Sequence, residues 1–506
     1  MSLRPQSLKP FRRQRLRPLV YALTVAPALL IGVSASAHST AHQVVNVPTS
    51  TVTVQASTLH AVPPSFLGLS MNVEEMEDFT NQPAFPNFVR LISPAGGGPT
   101  VIRVGGTFAD AMYWNGEEEH VAAQYRAPAN DAFYANEAFL QSLAAVLSQT
   151  GSDAILNVNA AAHDPQMALD YLEAAEQTLP SGSLIAAAIG NEPNLYPMGV
   201  DGITKSVGSW VTRFSAYRYD TLFSLYANLL SRHLPTLTLA GPELAEPDTS
   251  WLTSLLETDA GQVGLATEHY YAYSACAKTG STSYPSLLKY FHITNIVQDT
   301  RTIEQAAATA HSFGQKFRLT ELGSSTCLGV PSINDSFATS LWGLDVLYQL
   351  VADGVDGVNI HLRANEPNTA IQASPSGLTA HPLLYGIAAF ASTLGAGAQL
   401  EQVSGTLPSN LAVWAVRRDS GWSLALINDT NQQQTVRVKM PASAPMTVKA
   451  LTASSPWSLS ASFGGQTIGS AGTWQGTAVS QQVTPVSGYY SFTVAPDSAE
   501  IASTGP

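Results

Sequence analysis

The run Leu184-Ile185-Ala186-Ala187-Ala188-Ile189-Gly190-Asn191-Glu192-Pro193 is apolar for six residues, turns at a glycine and delivers a carboxyl. Six such residues read as a buried strand, and the polar residues after the glycine read as loop. A second run, Phe317-Arg318-Leu319-Thr320-Glu321, ends the same way. Parallel barrels carry their chemistry on the loops at the carboxyl ends of their strands. Two strands that each end in a glutamate therefore point to a barrel and to a site at its mouth.

Working outward, six further apolar runs read as strands: Phe66–Ser70, Val101–Val104, Ala154–Val158, Leu237–Ala240, Leu265–His269 and Gly357–His361. Amphipathic stretches separate them, with apolar residues at i, i+3 and i+4, as in Tyr219, Leu222, Phe223 and Tyr226 or in Phe337, Leu341, Leu344 and Tyr348. Asn334 or Asp335 is the expected cap of the second of these helices, and a last helix is expected over Pro382–Ser392. Eight strands alternating with helices predict a (β/α)8 barrel over residues 63–395, rather than an open doubly wound sheet.

After Gly395 the texture changes to alternating strand patterns, as in Ser423–Ile427 and Tyr489–Val494, divided by turns rich in Gly, Ser, Asp and Asn. Residues 396–506 are expected to form an antiparallel β-sandwich. Val44–Val47 and Thr51–Val54 share that texture, so residues 38–62 are expected to add strands to the same domain.

Residues 1–37 read as a secretory signal: a basic stretch, an apolar run from Leu19 to Val33, and Ala35-Ser36-Ala37 as small residues for cleavage. The expected location is secreted or periplasmic, with no membrane partner for the mature form. The formal charge of the 506 residues is −13. The first 37 hold six basic residues and no acid, which leaves 18 basic against 37 acidic residues, a net charge of −19. Such a surface repels nucleic acid and suits long polyanions poorly. In an oxidising compartment, an even count of two cysteines favours a Cys276–Cys327 disulfide tying two loops at the rim of the site, with two free thiols as the alternative.

Glu192 follows the fourth strand and Glu321 ends the seventh, three positions apart in a ring of eight, so their side chains can face each other across the mouth. Two carboxyls on either side of a sugar divide the work of acid and nucleophile, and their separation decides between retention and inversion. Other chemistries lack their signatures. No Gly-x-Ser-x-Gly elbow is present, and Gly96-Gly97-Gly98 lacks the spacing and the Lys-Ser/Thr of a phosphate loop. His269 and His361 read as hydrogen-bonded supports rather than metal ligands, and neither a metal nor an organic cofactor is expected.

Asn191-Glu192-Pro193 with a strand-seven glutamate resembles the large clan of retaining barrel glycosidases. Arg103-Val104-Gly105-Gly106, Asp110, Tyr113-Trp114, Glu268-His269-Tyr270-Tyr271, Asp356 to His361 and Pro382 to Gly386 narrow this. Together they resemble glycoside hydrolase family 79, the β-glucuronidase and heparanase family, along the whole barrel and in the trailing β-domain. The resemblance implies Glu192 as acid/base, Glu321 as nucleophile and Asn191 on the sugar 2-hydroxyl. It also implies Arg103 holding Glu321 ionised, Tyr270 donating to Glu321, and Asp110, Trp114 and Tyr271 lining the sugar pocket. On their own, Trp114, Tyr270 and Tyr271 read equally as core packing, and Arg103 as a structural ion pair.

One stretch departs from the family. The loop after the nucleophile is expected to bind a uronate through a tyrosine and backbone amides, yet here Leu322–Gly329 holds no aromatic residue. Its hydroxyls and N–H groups, or Arg363 or Lys278, would have to serve instead. The resemblance implies an exo-acting β-glucuronidase acting on a carbohydrate. The alternatives are an endo-acting heparanase- or hyaluronidase-like hydrolase, a β-glycosidase for a neutral sugar, and an inactive carbohydrate-binding protein.

Overall fold

The computed structural model describes residues 49–129, 131–198, 214–291 and 293–505. The expected signal segment and Val44–Val47 lie outside these. Eight parallel strands close a barrel, in chain order Leu67–Asn72, Val101–Gly105, Asp153–Val158, Leu184–Ile189, Thr238–Leu244, Val263–Ser274, Lys316–Thr326 and Gly357–Leu362, with the eighth pairing back to the first. All eight strands expected from the sequence are present in the expected order. Their apolar runs are continuous because the outer face meets helices and the inner face meets the barrel core. Among the described residues no helix is long and apolar enough to cross a membrane.

The trailing residues supply nine strands of a ten-stranded sheet. Val413, Leu426, Val438, Val448, Phe492 and Ala502, from six of its strands, share one buried cluster, so the sheet packs against itself as a sandwich does. The strand Thr49–Ala61 lies inside it, antiparallel to Gln399–Gly405 but parallel to Gln434–Lys439. The N-terminal contribution is as expected; the parallel pair departs from the all-antiparallel expectation. It arises because this strand enters from the far end of the chain, where no hairpin dictates its direction.

Phe337–Ala352 is the junction between the two layers. The sequence suggests an amphipathic helix, but fourteen of its sixteen residues are buried, since the barrel takes one face and the sheet the other. Neither Asn334 nor Asp335 caps it. The cap position is Ser336, whose side chain makes no capping bond. The N–H groups of Phe337 and Ala338 instead donate to the carbonyls of Ser458 and Pro456 at 2.8 and 3.1 Å. Carbonyls from the turn between the β-domain strands Met446–Thr452 and Ser462–Phe463 satisfy the helix start, which frees Asn334 to bond Ser324 and Tyr290.

Candidate active site

Arg103 organises the mouth of the barrel. It sits in the second barrel strand, fully buried, and every nitrogen of its guanidinium has a partner. Nε donates to Asn157 Oδ1 at 2.9 Å. One terminal nitrogen donates to Glu321 Oε1 at 2.5 Å and to Ser70 Oγ at 3.1 Å. The other donates to Glu243 Oε2 at 2.6 Å and Asn191 Oδ1 at 2.8 Å. Glycines make room for this: a Cβ on Gly105 would stand 2.5 Å from the guanidinium carbon, and one on Gly106, where φ is +79°, would stand 2.1 Å from Asn72 Oδ1. The Arg-Val-Gly-Gly motif is thus a cation with the space to fold its side chain under the site.

Glu243 is the residue sequence reading missed. It lies on the fifth barrel strand and is wholly buried, accepting from Arg103, from Asn157 Nδ2 at 3.1 Å and from Thr320 Oγ1 at 2.8 Å. His269 Nε2 faces the same carboxylate at 3.2 Å. Burial raises a carboxyl's pKa, but the Arg103 charge and the His269 contacts outweigh it and bring Glu243 down to about 2. The strand expected from the sequence stops at Ala240, whereas the observed one runs through Pro242 to Leu244. A glutamate inside an otherwise apolar run was the available signal, since a carboxylate is buried only with a cation beside it.

His269 joins the carboxyls. Its Nδ1 lies 2.9 Å from Glu192 Oε1 and its Nε2 3.2 Å from Glu243 Oε2. The ionised Glu243 faces Nε2, and a Glu192 oxygen, an acceptor in either protonation state of that carboxyl, faces Nδ1, so both ring nitrogens donate, which is the imidazolium form. Burial would lower the pKa, but the Glu321 charge and the bonds to Glu192 and Glu243 raise it to about 10. Glu192, His269 and Glu321 bring ligand-type atoms within 4.8 Å of one another. A metal ion would need a ring lone pair there, and an imidazolium has none, so the cluster fits an ion-pair network better than a metal set.

Glu192 sits just past the fourth barrel strand with φ of +47°, a left-handed conformation that costs a non-glycine residue roughly 1–3 kcal/mol. Neighbouring bonds fix it there: Glu192 N–H donates to the Glu243 carbonyl at 2.8 Å, and Asn191 N–H to Asp110 Oδ2 at 2.9 Å. Its side chain is 18% exposed against 5% for Glu321. The carboxyl nearer solvent is therefore Glu192, and the one enclosed by cations is Glu321. For Glu321, burial pulls upward, but His269, Arg103 and the Tyr271 hydroxyl hold its pKa far below the ordinary carboxylate range. His361, 3.2 Å from Glu321 Oε2, is pushed down to about 3 by burial and is neutral at physiological pH, so its effect there is not that of a charge.

Three expected site residues sit elsewhere. Tyr271, not Tyr270, donates to Glu321, with Oη 2.5 Å from Oε2, and the same hydroxyl contacts His361 Nδ1. Side chains alternate along a strand, so His269 and Tyr271 face the barrel interior while Tyr270 packs outward against the hydrophobic core. Asp110 does not line the pocket. It is buried beneath the Asn191-Glu192 loop, accepting from Tyr196 Oη at 2.5 Å and from the N–H groups of Ala160, Ala161 and Asn191. Burial raises it to about 6 despite those donors. Trp114 is 3% exposed and packs on Tyr171 with ring centroids 5.3 Å apart. Its short strand Met112–Trp114 pairs with Phe133–Ala135 and turns the indole into the core.

Above the network lies a cavity of about 650 Å³, within the usual range for a small-molecule site. Asn191, Glu192, Tyr271 and Glu321 line it, as does the Cys276–Cys327 disulfide, whose Cα atoms are 5.7 Å apart. The expected tie at the rim is present.

The fold, a closed (β/α)8 barrel with a β-domain, is shared with glycosidases of known structure. The chain superposes with a TM-score of 0.71 on a 4-O-α-L-rhamnosyl-β-D-glucuronidase from Fusarium oxysporum 12S, at 17% identity, covering 90% of this chain and all of that one. It also superposes on a family 51 α-L-arabinofuranosidase from Bifidobacterium longum, with a TM-score of 0.64 and 15% identity over 90% and 99% of the two chains. In sequence it is similar to a β-glucuronidase from Aspergillus niger, 24% identical over 217 residues, which are 40% of this chain. The match spans 38% of that relative's length. No family model matches the chain. The resemblance to glycoside hydrolase family 79 read from the motifs agrees with both glucuronidase similarities.

Proposed function

We propose that the protein is a retaining exo-β-glucuronidase that works through a glycosyl-enzyme on Glu321. The carrying observation is that carboxylate oxygens of Glu192 and Glu321 approach within 4.8 Å across one cavity. Retaining enzymes keep their carboxyls about 5–5.5 Å apart, whereas inverting ones leave roughly 6.5–9.5 Å for a water. Glu321, ionised and held by Arg103 and Tyr271, attacks the anomeric carbon while Glu192 gives its proton to the departing glycosidic oxygen. Glu192, the more exposed carboxyl, then takes a proton from the water that opens the ester. His269 occupies Glu192 Oε1 and leaves Oε2 without a protein partner among the described residues.

The glucuronide assignment draws on the names of the A. niger relative and the F. oxysporum structure. A neutral-sugar β-glycosidase is the rival, favoured by the stretch after Glu321, which continues the seventh barrel strand to Thr326. Ser324 Oγ accepts from Asn334 and Ser325 Oγ donates to the Thr326 carbonyl, and both side chains are buried and do not line the cavity. A panel of nitrophenyl β-glucuronide, galacturonide, glucoside and xyloside decides between them, with proton NMR of the first-formed anomer reporting stereochemistry. Preference for the glucuronide with retained β-configuration is expected. Inverted product, or undiminished turnover by Glu321→Gln, ends the mechanism proposed.

A further inference from the structure

Three polar side-chain atoms on the wall formed by the loops after the first and eighth barrel strands have no hydrogen-bond partner among the described residues, although they are buried: Glu74 Oε2, Arg363 Nε and Asn368 Oδ1. All three residues line the cavity that holds Glu192 and Glu321. Buried polar groups are nearly always satisfied, and three orphans on one wall mark a surface that a polar ligand completes. Two of them are fixed from behind. Asn72 Nδ2 holds Glu74 Oε1 at 3.1 Å, and Asn368 Nδ2 donates to the Ser325 carbonyl at 2.7 Å, which leaves its oxygen as an acceptor.

We infer that this wall is the sugar-recognition end of the site, and that Arg363 receives the uronate carboxylate in place of the loop after the nucleophile. The inference rests on the glucuronidase reading above. Charge reaches the same residue by elimination. Among the described residues lining the cavity, Arg363 is the one cation, and Arg103, the other guanidinium nearby, is sealed beneath and spends every nitrogen on protein partners. A guanidinium offers a carboxylate two parallel N–H donors, the geometry in which such pairs are strongest. Arg363 is 25% exposed, enough to reach a ligand. Its present neighbour is Glu75, whose Oε2 lies 3.5 Å from Nε without forming a hydrogen bond. Glu75 therefore neutralises the arginine at rest and competes with a substrate carboxylate. Glu74, raised by burial to about 7, is protonated below that pH and adds a donor to the wall rather than a repelling charge.

The test is the ratio of kcat/KM for nitrophenyl β-glucuronide to that for nitrophenyl β-glucoside, measured in the full-length enzyme and in two variants. Arg363→Met is expected to lower the ratio by roughly 30-fold, the loss of a charged hydrogen-bonded pair. Glu75→Gln is expected to raise it by about threefold or more, because a competing charge is removed. Opposite movements cannot both come from a damaged fold. If the unmodified enzyme turns over only neutral sugars, the glucuronidase reading fails and this inference with it. If it turns over the glucuronide and the ratio stays within about twofold in both variants, the inference alone is overturned.

Discussion

Arg103 and Glu243 lie 2.6 Å apart at the floor of the barrel mouth, and neither side chain reaches solvent. The pair is also the hub from which Glu321, Asn191 and His269 take their positions, so its removal tests stability and chemistry together.

Glu243→Gln leaves Arg103 and a protonated His269 short of one negative charge in a buried setting. Breaking such a pair from one side typically costs about 3–5 kcal/mol. Urea unfolding should show a loss of that order. The His269 ring should also titrate lower, because one of the carboxylates that raises it is gone, and the NMR signals of that imidazole give the measurement. An unchanged midpoint would mean the network is not what holds the site.

Tyr271→Phe removes the hydroxyl that meets Glu321 at 2.5 Å, whereas Tyr270→Phe touches only packing. A drop in kcat of about 10–100-fold is expected for the first and a change within about threefold for the second. Steady-state kinetics on the best substrate of the panel would show it, and equal losses would contradict the strand alternation.

The Cys276–Cys327 bridge spans 51 residues of sequence. Closing a loop of that size restricts the unfolded chain by about 4 kcal/mol as an upper figure. Thiol titration of denatured, unreduced protein should count close to none, and the double serine variant should unfold at lower urea. Because the bridge lines the cavity, its loss should also raise KM.

Asp345 is buried between helix and sheet, with Trp414 Nε1 donating to Oδ1 at 2.6 Å and no partner on Oδ2 among the described residues. Burial raises it to about 7 against that one bond. The folded state thus holds a proton that the unfolded state releases near pH 4. The resulting stability is intact below that pH and is lost as the pH climbs to about 7, on the order of 2–4 kcal/mol. Asp345→Asn should flatten this window in melting curves recorded from pH 4 to 8. A wild-type curve already flat there would refute the assignment.

Much of the barrel was legible because parallel strands buried on both faces spell continuous apolar runs. Glu192 and Glu321 were legible for the same reason, as carboxyls at the ends of such runs. What failed was register and depth. The pairing of the sixth and seventh barrel strands slips between Leu319 and Glu321, so that Glu321 stands opposite His269, and no local pattern announces that shift. In the sequence the fifth strand reads as ending at Ala240, three residues short of Glu243. Asp110 and Trp114 come after the second strand as an active-site loop would, but Tyr196 and Tyr171 draw them inward, and those contacts join residues distant in sequence.

The strand Thr49–Ala61 carries a consequence for biogenesis. Gln55 meets Ser404 across 349 positions of chain, and the adjoining strand Gln434–Lys439 is made later still. During synthesis from the ribosome, the first strand waits without its neighbours until the barrel has been made and the tail emerges. Its exposed edge stays open to stray pairing through that interval. The β-domain is therefore completed last although it is begun first, and no single cut along the chain can release it whole.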